Sequence, residues 1–173
     1  MKNIYNMVCF QIGWWICSIG AKNEQFYLGP IFMLFFIALH IMCISENKWE
    51  IILIICGSIF GIVVDTSLIY FNIINYQDTF SNFTLAPLWI IAMWAGFCTT
   101  INHSLGWLKG HFILAFLLGA IFGPLSYIAG LQMGIIFFLT VPLHTCLILA
   151  IIWGISIPLL FLLNEKLEII SEC

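Results

Sequence analysis

The chain has 173 residues, of which 63% are apolar and only 8% are charged, whereas an ordinary soluble domain is about 25% charged. A soluble domain of this size cannot build its polar surface from so few charges, and disorder requires low hydrophobicity and high charge. Five lysines, no arginine and a net charge of −3 exclude nucleic-acid binding through a basic face. The mean hydropathy of +1.12 therefore indicates a protein whose main solvent is lipid.

The charged residues fall in clumps separated by long uncharged stretches, which cover 3–21, 25–45, 51–64, 66–77, 79–108 and 110–164. A bilayer core about 30 Å thick takes about 20 apolar residues per helix, so the last stretch is long enough for two helices. We therefore predict an all-α fold, a single transmembrane domain over residues 1–173 with no soluble domain. Its six predicted transmembrane helices cover 4–21, 26–44, 51–74, 87–107, 111–129 and 142–163.

The segment 131–141 is apolar but too short to span a bilayer. Gly130 and Pro142 flank it, and these residue types favour a turn. Two interpretations stay open, a short re-entrant piece or an extension of the last helix across Pro142.

Asp65 interrupts the apolar pattern of the predicted third helix. It continues a stripe of Gly57 and Gly61, spaced four residues apart, and small residues at this spacing allow a neighbouring helix to approach closely. A carboxylate that faced lipid would cost about 2.5–3.5 kcal/mol, so we expect Asp65 to be buried against protein. It is then either a proton or cation site (or a general acid), or a carboxyl group that holds helices together.

Polar side chains also cluster near the end of the predicted fourth helix. Thr99 and His103 share one face of that helix, and Asn102 lies beside them. His40 has a similar depth in the second helix, so we expect His40 and His103 to meet near the cytoplasmic side. The cluster is either a polar pocket or a set of interhelical hydrogen bonds, which are worth about 0.6 kcal/mol each.

Two further polar residues complete the candidate binding set. Gln11 lies near the middle of the first helix beside two tryptophans and suits the lining of a cavity, while His144 has the depth of Asp65 and is a potential partner for it. The candidate set is therefore Asp65, Asn102, His103, Thr99, His40, His144 and Gln11.

No cofactor is expected, because the chain contains neither a glycine-rich phosphate loop nor a dinucleotide fingerprint. His40, His103, Cys43 and Cys98 are potential metal donors, but they lack a paired spacing such as H-x-x-x-H, so no metal site is predicted. The expected partners are membrane lipids and a further membrane protein, and no nucleic acid.

Two segments of the second half combine aromatic, small and polar residues. The first comprises Ala86–Trp89, Trp94, Phe97, Thr100, Asn102–Ser104 and Trp107–Leu108, and the second comprises Gly119, Gly123–Tyr127, Ala129 and Gly130. With Gly57, Gly61 and Asp65 upstream, the chain resembles the bacterial membrane family catalogued as domain of unknown function 2878 (DUF2878). The resemblance implies a small six-helix protein of the bacterial inner membrane, and it implies no particular activity.

Three functions are compatible with this sequence. The first is a membrane-embedded binder or transporter of a small apolar or weakly polar molecule, which should have a cavity and a broken helix. The second is an enzyme or accessory subunit of lipid metabolism, which should bring two titratable groups within hydrogen-bond reach. The third is a structural partner of another membrane protein, which should expose a groove of small residues.

The lysines predict the orientation in the membrane, because positive residues are enriched on the cytoplasmic side. With both termini in the cytoplasm, four lysines lie inside and only Lys22 lies outside. In a chain without its native cysteines, we expect Lys22→Cys to react with a membrane-impermeant maleimide and Lys48→Cys to be protected in intact cells. The reverse labelling pattern would show that the orientation is inverted.

Overall fold

The computed structural model describes residues 2–45, 47, 49–78 and 84–172. These residues form six α-helices and two short strands. In chain order the elements are α1 (Lys2–Lys22), α2 (Leu28–Cys43), α3 (Trp49–Tyr70), β1 (Ile74–Tyr76), α4 (Leu88–Cys98), α5 (Phe112–Met133), β2 (Ile136–Phe138) and α6 (Pro142–Glu172).

Four of the helices, α1, α3, α5 and α6, are long and apolar enough to cross a membrane. Their outward faces carry large exposed apolar side chains such as Ile113 and Ile170, which fits lipid as the surrounding solvent. At 1.5 Å per residue, α2 is about 24 Å long and α4 about 17 Å long, both shorter than a hydrocarbon core of about 30 Å. The all-α membrane fold is therefore confirmed, whereas six full-length spans are not.

Helix α4 ends at Cys98, well before the predicted end at residue 107. The hydroxyls of Thr99 and Thr100 donate to the carbonyl oxygens of Gly96 (2.7 Å) and Phe97 (2.6 Å), and such local bonds compete with the continuing helix. Turns follow, with a single 3₁₀ turn at Gly106–Leu108. Thr99, Thr100 and Ile101 are buried, as irregular backbone at membrane depth must be.

The segment 131–141 is not an extension of the last helix, because α6 begins at Pro142, while its re-entrant interpretation stays a prediction. Helix α5 continues to Met133 and ends at Gly134, whose φ of 78° is the left-handed conformation that commonly terminates helices. The chain then forms β2, which pairs antiparallel with β1 so that Ile136 lies opposite Tyr76. The pairing joins the end of α3 to the end of α5 at one end of the bundle.

The opposite end of the bundle carries the beginning of α1 and the last turns of α6. Lys2 and Glu168 line the same polar pocket there, and Lys109 forms an ion pair with Glu168. The two ends of the described chain therefore lie at the same end of the bundle. This is expected when the chain passes along the bundle an even number of times.

Glycines in the helices make room for large aromatic rings of their neighbours. A Cβ atom on Gly61 would lie 2.1 Å from the ring of Trp94, and one on Gly123 would lie 2.3 Å from the ring of Trp153. The two indoles then stack on each other, with ring centroids 4.7 Å apart and planes 8° apart. The expected close approach along the Gly57–Gly61 stripe is thus confirmed, and α4 is the helix that packs against it.

Because the added methyl group has no space beside Trp94, we expect Gly61→Ala to lower the free energy of unfolding by about 1–3 kcal/mol, the usual cost of overpacking. The matched control is Gly106→Ala, whose new Cβ would meet only the Ile101 carbonyl oxygen, at 3.8 Å. Thermal unfolding of both variants in the same detergent measures the difference. Equal melting temperatures would contradict the packing of α3 against α4 described here.

Candidate functional site: an aromatic cavity and two polar clusters

Asp65 is completely buried and accepts hydrogen bonds from three other elements. The hydroxyls of Tyr76 on β1 and Tyr127 on α5 both donate to Oδ1, the latter at 2.6 Å. The indole N–H of Trp94 on α4 donates to Oδ2 at 2.5 Å. The predicted burial against neighbouring elements is confirmed, and three donors suit an ionised carboxylate, which only accepts hydrogen bonds.

This geometry favours the structural role that the sequence left open for Asp65. Both of its oxygens are engaged by protein donors, and no part of the side chain is exposed. Its partners Tyr127 and Trp94, in contrast, line a cavity of about 520 Å³. Asp65 therefore lies behind the cavity wall and determines where two of the lining rings point.

The predicted pairing of Asp65 with His144 is wrong. His144 is exposed in the first turn of α6, where the buried face is marked by Thr145 and Leu149. Its imidazole therefore projects outward from the bundle, while Asp65 is surrounded by Tyr76, Tyr127 and Trp94.

A cavity of about 520 Å³ lies between α1, α4, α5 and α6. Its wall is predominantly apolar and rich in aromatic side chains, which include Trp14, Trp15, Trp89, Trp94, Phe97 and Trp153. Gln11 also lines it, which is the position that the sequence predicts. The volume falls within the range of small-molecule sites, which are concave and mostly apolar with a few polar groups.

Two polar groups in the cavity wall are buried without a hydrogen-bond partner among the described residues, the hydroxyl of Ser18 and the indole N–H of Trp153. The Tyr127 hydroxyl is close to the indole of Trp153, but the two do not form a regular hydrogen bond. A buried donor left unpaired costs about 1–3 kcal/mol. Both atoms are covered by their neighbours, and Ser18 is fully buried, so these donors lie within the cavity wall and not on its surface.

The cavity opens between α1 and α5, because its exposed lining residues lie on these two helices. Trp15 on α1 is 49% exposed, and Phe122 and Leu125 on α5 are 62% and 50% exposed. The residues of α4 and α6 form the closed back of the cavity, where the stacked Trp94 and Trp153 lie.

The second polar cluster lies at the end of the bundle that carries the termini. His40 and His103 approach each other, with ring centroids 4.7 Å apart, so their predicted contact is confirmed. Glu50 lies between them, 3.2 Å from Nε2 of His40 and 3.2 Å from Nε2 of His103. Glu50 was not among the predicted site residues; its signal in the sequence is an acidic residue directly before the predicted third helix, and in the structure it lies in the first turn of α3.

Asn6 of α1 connects this cluster to the turn after α4. Its amide nitrogen donates to the backbone oxygen of Thr99 at 3.2 Å and to the Thr99 hydroxyl at 3.1 Å, and its oxygen accepts from Ser104 at 2.8 Å. The same nitrogen lies 3.4 Å from Nδ1 of His40. The prediction that Thr99 and His103 share a helix face is therefore wrong, because both residues lie in the turns after α4. They reach the cluster through these turns.

A polar pocket of about 330 Å³ adjoins the cluster. Glu50, His103 and Asn102 line it together with the lysines Lys2 and Lys109. Asn102 also donates to the side-chain oxygen of Asn164 on α6 at 2.8 Å. Of the candidate residues, the structure thus brings His40, Thr99, Asn102 and His103 to one end of the bundle, while Asp65 and Gln11 belong to the cavity region.

Because an amide cannot accept from all three donors around Asp65, we expect Asp65→Asn to lower the free energy of unfolding by about 1–3 kcal/mol, and Asp65→Leu to lower it further. Tyr127→Phe should have a smaller effect, since Tyr76 still donates to the same oxygen. The exposed Glu24→Gln is the control for an acid-to-amide change. Thermal unfolding in detergent would contradict this role if Asp65→Leu were as stable as the unmodified chain.

The comparisons with known proteins identify a family but no characterised relative. A model of the family described as "Protein of unknown function (DUF2878)" matches residues 3–159. Neither the curated proteins nor the solved structures contain a significant match. Since the match covers most of the chain, this membrane protein belongs to the DUF2878 family.

Proposed function

We propose that this chain is a membrane-embedded binder or transporter of a small apolar or weakly polar molecule. The proposal rests on one observation, the cavity of about 520 Å³ whose apolar wall is rich in aromatic rings. Flat indole faces stack well on rings and conjugated chains.

The shape of the cavity supports entry from the lipid phase. Its opening lies between α1 and α5, whose exposed apolar residues are those that face hydrocarbon in a bilayer. An apolar molecule dissolved in the membrane can then reach Trp153 without crossing water. The stacked pair of Trp94 and Trp153, held by Asp65, forms a rigid back wall, so little ordering is required when the ligand binds.

The short helix α4 also supports this function. Transporters commonly place irregular backbone beside a buried site, and the turns from Thr99 onward follow directly after the helix that carries Trp94. We place the protein in the bacterial inner membrane, with both termini in the cytoplasm and membrane lipids as its immediate partners. In this orientation the polar pocket at Glu50 faces the cytoplasm.

A membrane enzyme is the second candidate, because Glu50 and His103 are two titratable groups within hydrogen-bond reach and both line the polar pocket. A purely structural partner is less well supported. The helix glycines in the described part of the chain are covered by neighbouring side chains or backbone, so they do not form the exposed groove that such a partner needs.

The cavity can be tested by filling it. The protein is extracted from native membranes in mild detergent, and molecules that copurify are measured by mass spectrometry. We expect Ala129→Phe, which places a ring in the cavity, to reduce the amount of a specific copurifying molecule by at least about tenfold, which corresponds to about 1.4 kcal/mol.

The matched control is Ala120→Phe, the same substitution on the same helix at a half-buried residue outside the cavity lining. It should retain the molecule at the level of the unmodified chain. If no molecule is enriched over detergent-extracted lipid, or if both variants retain it equally, the cavity is not a binding site. A Glu50→Gln variant distinguishes the binder from the membrane enzyme. If the protein is a binder, the amount of the copurifying molecule should stay unchanged. If it is an enzyme, the variant should copurify with substrate where the unmodified chain copurifies with product.

A further inference from the structure

We propose that His40, Glu50 and His103 bind one divalent transition-metal ion. One oxygen of Glu50 and one nitrogen of each imidazole lie within 4.8 Å of one another, and all three residues are buried. This inference departs from the expectation that the chain has no metal site. It also goes beyond the proposed function, because the site lies at the other end of α3 from Asp65 and does not line the aromatic cavity.

The distances in this cluster are those of ligands around an ion. A charge-assisted hydrogen bond between imidazole and carboxylate is usually about 2.7–2.9 Å long. The three contacts of Glu50 with the imidazole nitrogens are 3.2, 3.2 and 3.3 Å. Ligands held about 2.0–2.2 Å from a tetrahedral zinc ion are separated by about 3.3–3.6 Å, so the contacts of Glu50 would lengthen only slightly around an ion.

The chemistry of the donors suits zinc or a similar ion. Two imidazole nitrogens and one carboxylate form a three-ligand set of the kind that leaves a fourth position open for water or substrate. Glu50 and His103 both line the polar pocket of about 330 Å³, which gives that fourth position access to solvent. His40 is fully buried and would form the closed side of the site.

Metal binding through Nε2 of His40 would replace two contacts of this ring. A ligating imidazole carries its proton on the nitrogen that does not bind the metal, here Nδ1. The amide nitrogen of Asn6, which is also a donor, lies 3.4 Å from this atom, so this long hydrogen bond would be lost. Nε2 of His40 would exchange its 3.2 Å contact with Glu50 for the ion.

Zinc content tests the proposal directly. The full chain is purified in detergent with a tag that contains no histidine, stripped with a chelator, incubated with Zn²⁺ and dialysed. Metal analysis should then give one zinc ion per chain for the unmodified protein, and near zero for His103→Ala and Glu50→Gln. The control His144→Ala removes an exposed imidazole outside the cluster and should retain the full zinc content.

Thermal unfolding with and without Zn²⁺ provides a second measurement, because a ligand that binds only the folded state raises its stability. The melting temperature should rise with zinc for the unmodified chain and for His144→Ala, and stay constant for His103→Ala. If the unmodified chain neither retains zinc nor gains stability from it, or if His103→Ala behaves like the control, the cluster is not a metal site. The unmodified chain decides the question even if a variant fails to fold.

Discussion

The need to bury one carboxylate in an apolar bundle determines how four elements of this protein are arranged. Asp65 cannot face lipid without a large cost, and the described structure satisfies it with donors from β1, α4 and α5. One of those donors is the indole of Trp94, which fits against Gly61 only because that position lacks a side chain. Trp94 then stacks on Trp153, and Gly123 makes the corresponding space on α5. The back wall of the cavity is thus a consequence of where Asp65 finds its partners.

The sequence predicted those features that depend on the cost of polarity in lipid. The membrane class, the burial of Asp65 beside a glycine stripe and the meeting of His40 and His103 follow from depth and helix face alone, because each polar residue in an apolar segment must turn away from lipid. The length of α4 could not be predicted in this way. It ends where the hydroxyls of Thr99 and Thr100 donate to carbonyl oxygens of the preceding turn. These bonds compete with the continuing helix, and hydropathy carries no information about them.

The partners of the polar residues were also beyond the sequence. Tyr76 and Tyr127 are 11 and 62 residues from Asp65, and nothing local marks them as its donors. The strand pair of β1 and β2 was missed for the same reason, since three residues have too little periodicity to be recognised without their partner strand. Asn6 and Glu50 lie near the ends of predicted helices. A polar side chain at a helix end is ordinarily solvated, so its position alone does not indicate burial or a partner.

The cavity and the histidine cluster are separate in depth but joined by a continuous path of contacts. Along α3, Glu50 and Asp65 are about 22 Å apart at 1.5 Å per residue. Trp94 bonds to Asp65 and lines the cavity, and five residues later Thr99 accepts from Asn6, which adjoins His40. Helix α4 therefore lines the cavity along most of its length of about 17 Å and meets the polar cluster directly after its last residue. Side-chain hydrogen bonds fix both of its ends, because Trp89 donates to the backbone oxygen of Gln77 at one end and Asn6 donates to Thr99 at the other.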